Sequence, residues 1–112
     1  MANYCFAAPV LPGTESLIQK WIREGIVNNK EHDKALRAAG ISREQVWVQQ
    51  TPQGALAIAS LEVKDAGSAL KAIATSTDPW MVSFREFLQA AHGVDMSKPA
   101  PLNEQVVDWH ER

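Results

Sequence analysis

The chain has little of what usually announces a chemistry. A single Cys5 among 112 residues cannot close an internal disulfide, and one thiol offers none of the paired spacings that hold zinc. Lys and Arg number 11 against 13 Asp and Glu, with no basic cluster, so the positive stripe that a nucleic-acid partner needs is missing. No apolar run approaches the ~20 residues of a membrane span. The opening MANYCFAAPVLPG has no basic region ahead of its short apolar run, and reads as a strand and not as a signal peptide. Together these absences point to a cytoplasmic chain with neither nucleic acid nor membrane as partner. Also missing are a Gly-rich phosphate loop, carboxylates paired at a defined spacing, any nucleophile set beside a base and its orienter, and any repeat of solenoid period.

What is present is 46% hydrophobic and 21% charged, an ordinary globular balance. At this length residues 1–112 are expected to form one domain with a core that needs no metal or disulfide.

The informative stretch is Arg43 to Glu62, REQVWVQQTPQGALAIASLE. Two runs rich in β-branched and apolar residues flank Thr51-Pro52-Gln53-Gly54, a hairpin signal. Proline fixes φ near −65°, which disfavours a two-residue loop beginning at Pro52. The expectation is a three-residue loop, with Gly54 left-handed as a bulge. That register sets Trp47 opposite Ala59 and Gln49 opposite Ala57, with Val46, Val48, Leu56 and Ile58 on the other face. Small alanines beside one large ring then leave room above the sheet.

Before the hairpin, Asn3 to Val10 reads as a strand apolar on both faces, stopped by Pro9 and Pro12. Thr14 is placed to cap a helix striped by Leu17, Ile18, Trp21 and Ile22. The pattern weakens from Gly25 to Asn29, resumes through His32, Ala35 and Leu36, and stops at Gly40. A bend or two successive helices are expected there. Ser42 to Gln45 has capping-box spacing and suggests a short extra turn.

After the hairpin, Asp65 caps one helix, and Asp78-Pro79 starts another that runs along Trp80, Phe84, Phe87 and Leu88 to Gly93. Lys98 to Pro101 reads as an extended connector, and Gln105 to Trp109 as a final strand. The order is β-α-β-β-α-β: an α+β, ferredoxin-like arrangement with a four-stranded antiparallel sheet and helices on one face. A second sheet face bearing Trp47, Ala57, Ala59 and Leu61 needs cover, most simply from a two-fold copy.

This order, size and apolar second face resemble the dimeric α+β barrel superfamily, which includes antibiotic-biosynthesis-type monooxygenases and chlorite-dismutase-like haem proteins. More narrowly, Val46-Trp47-Val48-Gln49-Gln50-Thr51-Pro52-Gln53-Gly54 is similar to a stretch in a group of short, uncharacterised bacterial proteins. The Phe6 to Gly13 run, the helix end at His92-Gly93 with Asp95, and Val107-Asp108-Trp109 add to that likeness, which spans nearly the whole chain. It implies a homodimer joined through the sheet face and carries over no catalytic residue.

Each candidate residue has a plain reading beside a functional one. Trp47 and Gln49, with Tyr4, Ala57 and Ala59, suit either a small-molecule pocket or a dimer interface. His92, at a helix end, is a candidate base or, by analogy with haem-binding barrels, an axial ligand. It is equally a cation complementing the helix dipole. Arg85 suits a substrate carboxylate or a surface ion pair. His32 and Asp33 read as solvated surface, because neighbours along a helix do not face each other. Cys5 reads as a buried, inert thiol. The expected function is small-molecule binding over the sheet. The alternatives are a cofactor-independent oxygenase or isomerase and, more weakly, a haem protein through His92. No metal ligand and no definite cofactor is implied.

Overall fold

Three β-forming runs make the sheet: β1 (Ala2–Pro9), β2 (Ile41–Thr51) and β3 (Gly54–Val63). In the computed structural model, which describes residues 2–98 and 101–112, they pair antiparallel in the order β1-β3-β2. Four α-helices complete an α+β fold: α1 (Glu15–Trp21), α2 (Lys30–Ala38), α3 (Ala66–Thr75) and α4 (Pro79–His92).

The helix boundaries follow local chemistry. The Asp65 carboxylate accepts the Ser68 N–H at 2.8 Å, and the Asp78 carboxylate accepts the Met81 N–H at 3.2 Å, each satisfying an otherwise orphaned donor of a helix first turn. Gly93 ends α4 at φ 67°, a left-handed position that glycine adopts without a Cβ penalty. The weak stretch after Trp21 is a π-helical turn, Ile22–Ile26, and Asn29 then caps α2 by accepting from the Glu31 and His32 N–H groups. A bend with two helices is thus what forms. Thr14 makes no side-chain cap; its hydroxyl donates to the Leu11 carbonyl at 2.7 Å instead.

The turn departs from expectation, and the departure propagates. Thr51 pairs directly with Gly54, so the loop is the two residues Pro52-Gln53. The Thr51 hydroxyl makes this possible: it accepts the Gln53 N–H at 3.2 Å and donates to the Gly54 carbonyl at 2.6 Å. Gly54, at φ 116°, takes the positive dihedral that Pro52 cannot. One residue of slip exchanges every face. Val48 now opposes Ala57, Val46 opposes Ala59, and Trp47 opposes Ile58. Carried across to β1, the inner rows are Tyr4–Leu61–Glu44, Phe6–Ala59–Val46 and Ala8–Ala57–Val48. The outer rows are Cys5–Ser60–Gln45, Ala7–Ile58–Trp47 and Pro9–Leu56–Gln49.

Helices α2, α3 and α4 bury residues against the inner face, and α1 joins that layer through Trp21. Val63 is fully buried there and Ile41 and Tyr4 are 5% exposed, in one cluster with Ala35, Leu70, Met81 and Leu88. Aromatic rings extend this core between α1 and α4. Trp21 stacks on Phe87 at 4.9 Å, and Trp80 on Phe84 at 5.3 Å. The Trp80 N–H donates to the Gly25 carbonyl at 2.8 Å, tying α4 to the π-turn. Glycine at 25 also makes room for the Trp21 ring, from which a Cβ there would lie only 2.9 Å.

Other expectations change as well. Ser42 sits in a bulge of β2, between Ile41 and Arg43, and starts no helical turn. Cys5 is exposed, because β1 is covered on its inner face only. Residues 105–109 form no strand, and Val106, Val107 and Trp109 are 74–83% exposed. The sheet therefore has three strands. Alternating apolar residues make a strand only beside an open edge with a face to bury. Just ahead of this segment the Asn103 side chain donates to the Cys5 carbonyl of β1. The middle of the connector expected from Lys98 to Pro101 lies outside the described residues.

Candidate functional site

The inner face is not filled along its whole length. Ala8, Ala57 and Ala59 are too short to reach the helices, and a cavity of about 330 Å³ opens above them. Its floor continues through Tyr4, Phe6 and Leu61, and its roof is Ile18, Trp21, Phe84, Phe87 and Leu88. Val46 and Val48 also line it and are about half exposed, so it opens toward solvent at the hairpin. A volume near 300 Å³ is at the small end for ligand sites, which are mostly apolar with a few placed polar groups. Here the lining residues with polar or titratable side-chain groups are Tyr4, Glu44 and His92.

His92 is 6% exposed and held rigidly. Its Nδ1 is 2.8 Å from the Pro9 carbonyl, which only accepts, so Nδ1 carries a proton and Nε2 is the nitrogen left for another partner. The ring also meets Phe87 edge-on at 5.6 Å. His92 stands in the last turn of α4, where the expected complement to the helix dipole also places it. Burial pushes the Tyr4 phenol above its ordinary pKa, which keeps it a neutral donor. The Trp21 Nε1–H is buried with no acceptor among the described residues.

Glu44, which sequence reasoning passed over, is the least expected member. It stands on the inner face in the row of Tyr4 and Leu61. Its Oε1 is 2.9 Å from His32 Nε2, and the other ring nitrogen, Nδ1, is 2.8 Å from Asp33 Oδ1. His32 is buried, with its ring edge-on to Trp80 at 5.3 Å. The reading of His32 as solvated surface fails, because it is buried and reaches across to β2 while turning back onto Asp33; Asp33 itself is exposed, as expected. The available signal was Glu44 in alternation with Val46 and Val48: a charged residue on a strand face otherwise apolar.

Of the residues singled out from sequence, Tyr4, Ala57, Ala59 and His92 meet in this cavity. Trp47 and Gln49 do not; the register puts them on the outer face, exposed. Arg85 is also outside. Its guanidinium donates to the Ile73 carbonyl at 2.7 Å and the Ser76 carbonyl at 2.8 Å, closing the C-terminal end of α3, whose last carbonyls have no helical partner. Among the described residues no group of three or more His, Cys, Asp and Glu is placed to hold a metal. No described helix is long and apolar enough to cross a membrane.

Comparison of the chain with protein-family models, with curated proteins and with solved structures gives no match.

Proposed function

We propose that this chain is a small-molecule-binding protein of dimeric α+β barrel type, cytoplasmic, whose ligand enters between the inner sheet face and α1 and α4. The observation that carries the reading is the 330 Å³ apolar cavity with His92 and Tyr4 in its wall. Filling it would bury apolar surface worth roughly 25 cal/mol per Å².

The test uses N-phenyl-1-naphthylamine, a dye that brightens in apolar sites. Saturable binding is expected in the wild-type chain. Ala57→Leu, which puts a larger side chain on the cavity floor, should abolish it while leaving the melting temperature in place. Absence of saturable binding in the wild type overturns the reading.

The quaternary part rests on the other face. Trp47, Ile58 and Ala7 form an apolar row there, with Trp47 49% exposed, and a second copy is its simplest cover. The Gln105 to Trp109 segment would then complete a four-stranded, ferredoxin-like sheet at the free edge of β1. Sedimentation should report a dimer at micromolar concentration and a monomer for Trp47→Glu; a wild-type monomer ends this part. The cavity does not depend on it, since its walls come from one protomer.

His92 favours one second reading, an enzyme of cofactor-independent oxygenase or isomerase type. A buried imidazole with Nδ1 held by a carbonyl presents Nε2 as a general base. Haem ligation would use the same nitrogen, but in a cavity at the small end of the ligand-site range.

A further inference from the structure

The Asp33–His32–Glu44 array does nothing for the apolar fit just described, and it is expensive to bury. A strand position facing a helix layer ordinarily holds an aliphatic residue, as Val46 and Val48 do two and four positions later. Glu44 instead puts a carboxylate with 17% side-chain exposure into the cavity wall. Only an imidazole protonated on both nitrogens donates to both carboxylates at 2.8 and 2.9 Å. In that state the three groups carry one net negative charge. Asp33, 54% exposed, shares its part of that charge with water, whereas Glu44 is screened by the protein. Glu44 Oε1 is engaged by His32, and Oε2 has no hydrogen-bond partner among the described residues. The other walls suit an apolar body: Phe6, Trp21, Phe84 and Phe87 line the same space.

We propose that the cavity selects ligands bearing a protonated amine on an apolar body, the ammonium meeting Glu44. This rests on the cavity being a ligand site and names the class of ligand it takes. His32 is a positioning residue: fixed by Asp33 at 2.8 Å on one side, it holds the Glu44 carboxylate at the wall through the 2.9 Å bond on the other. An anion of the same shape would meet an uncompensated carboxylate and be rejected.

A matched series separates this from plain apolar binding: 1-naphthylmethylamine, 1-naphthalenemethanol and 1-naphthoate, titrated calorimetrically at neutral pH. The amine is expected to bind about tenfold or more tighter than the alcohol, in keeping with hydrogen bonds to a charged group, and the carboxylate weakest. Glu44→Gln should bring the amine down to the alcohol's affinity and leave the alcohol within about threefold, its apolar contacts being untouched. Equal binding of amine and alcohol, or an amine preference that survives Glu44→Gln, overturns the proposal while leaving the cavity reading intact. If none of the three binds, the cavity reading fails and this inference with it. Should Glu44→Gln not fold, the order of affinities in the wild-type chain decides by itself.

Discussion

The two ends of the inner sheet face are made of similar residues and live in different surroundings. At the base, Ile41 and Val63 pair beneath the helices and are 5% and 0% exposed. Toward the hairpin, Val46 and Val48 point the same way from the same strand and are 49% and 51% exposed. Strand propensity is alike at both ends, so the difference comes from the helices. Ala69 on α3 and Met81 on α4, neither of which lines the cavity, pack in the cluster that buries Val63, while alanines on β1 and β3 leave the far end short of contact. One surface thus serves as core where it is filled and as a candidate site where it is not. Stability and binding should accordingly separate along the strand.

The largest effect expected tests that separation. Met81 is 2% exposed in the filled part, and Met81→Ala should lower unfolding stability by about 2–5 kcal/mol through lost transfer energy and an unfilled cavity. Val48→Ala, at the open end, should change it by no more than about 0.5 kcal/mol, as substitutions at exposed positions do. Denaturant titration of both variants checks this. Comparable losses would show that the hairpin end is as firmly packed as the base, and the cavity would then be a closed part of the core.

How much of this was legible in the sequence depended on whether the signal was local. Asp65, Asp78 and Gly93 marked helix ends correctly, because a cap is decided within four residues. The break after Trp21 was visible in Gly25 and the asparagines. The register was not, because it turned on the Thr51 hydroxyl bridging to Gly54, a bond whose alternatives differ little in energy. That single slip moved Trp47 and Gln49 away from Tyr4, Ala57 and Ala59, so four of seven proposed site residues came together and the ring expected to dominate the pocket faced outward. Glu44 was missed for a different reason: its step with Val46 and Val48 holds in either register, but the capping-box spacing of Ser42 to Gln45 placed it in a helical turn, whereas β2 begins at Ile41. The tail could not be placed at all, since alternation in Val107 and Trp109 says that a strand is possible and not which edge it meets.

A smaller effect sharpens the same contrast through pH. Tyr4 is the only tyrosine of the chain, so its ultraviolet titration is unobscured. It sits toward the filled end, 5% exposed, and burial raises its pKa above the ordinary value, which is about 10. Below that value the phenol is neutral in folded and unfolded chains alike, and its contribution to stability is fully present. As pH rises from about 10 through the folded value, the unfolded chain ionises first and stability is lost. Folded protein should therefore titrate later than the same chain in denaturant, and Tyr4→Phe should remove that part of the alkaline loss. The phenol also borders the cavity, which makes the result informative about its depth. A folded midpoint equal to the denatured one would mean that solvent entering at Val46 and Val48 reaches Tyr4 freely. The open region would then extend to the base, and the neutral donor assigned to the ligand site would be an ordinary wetted phenol.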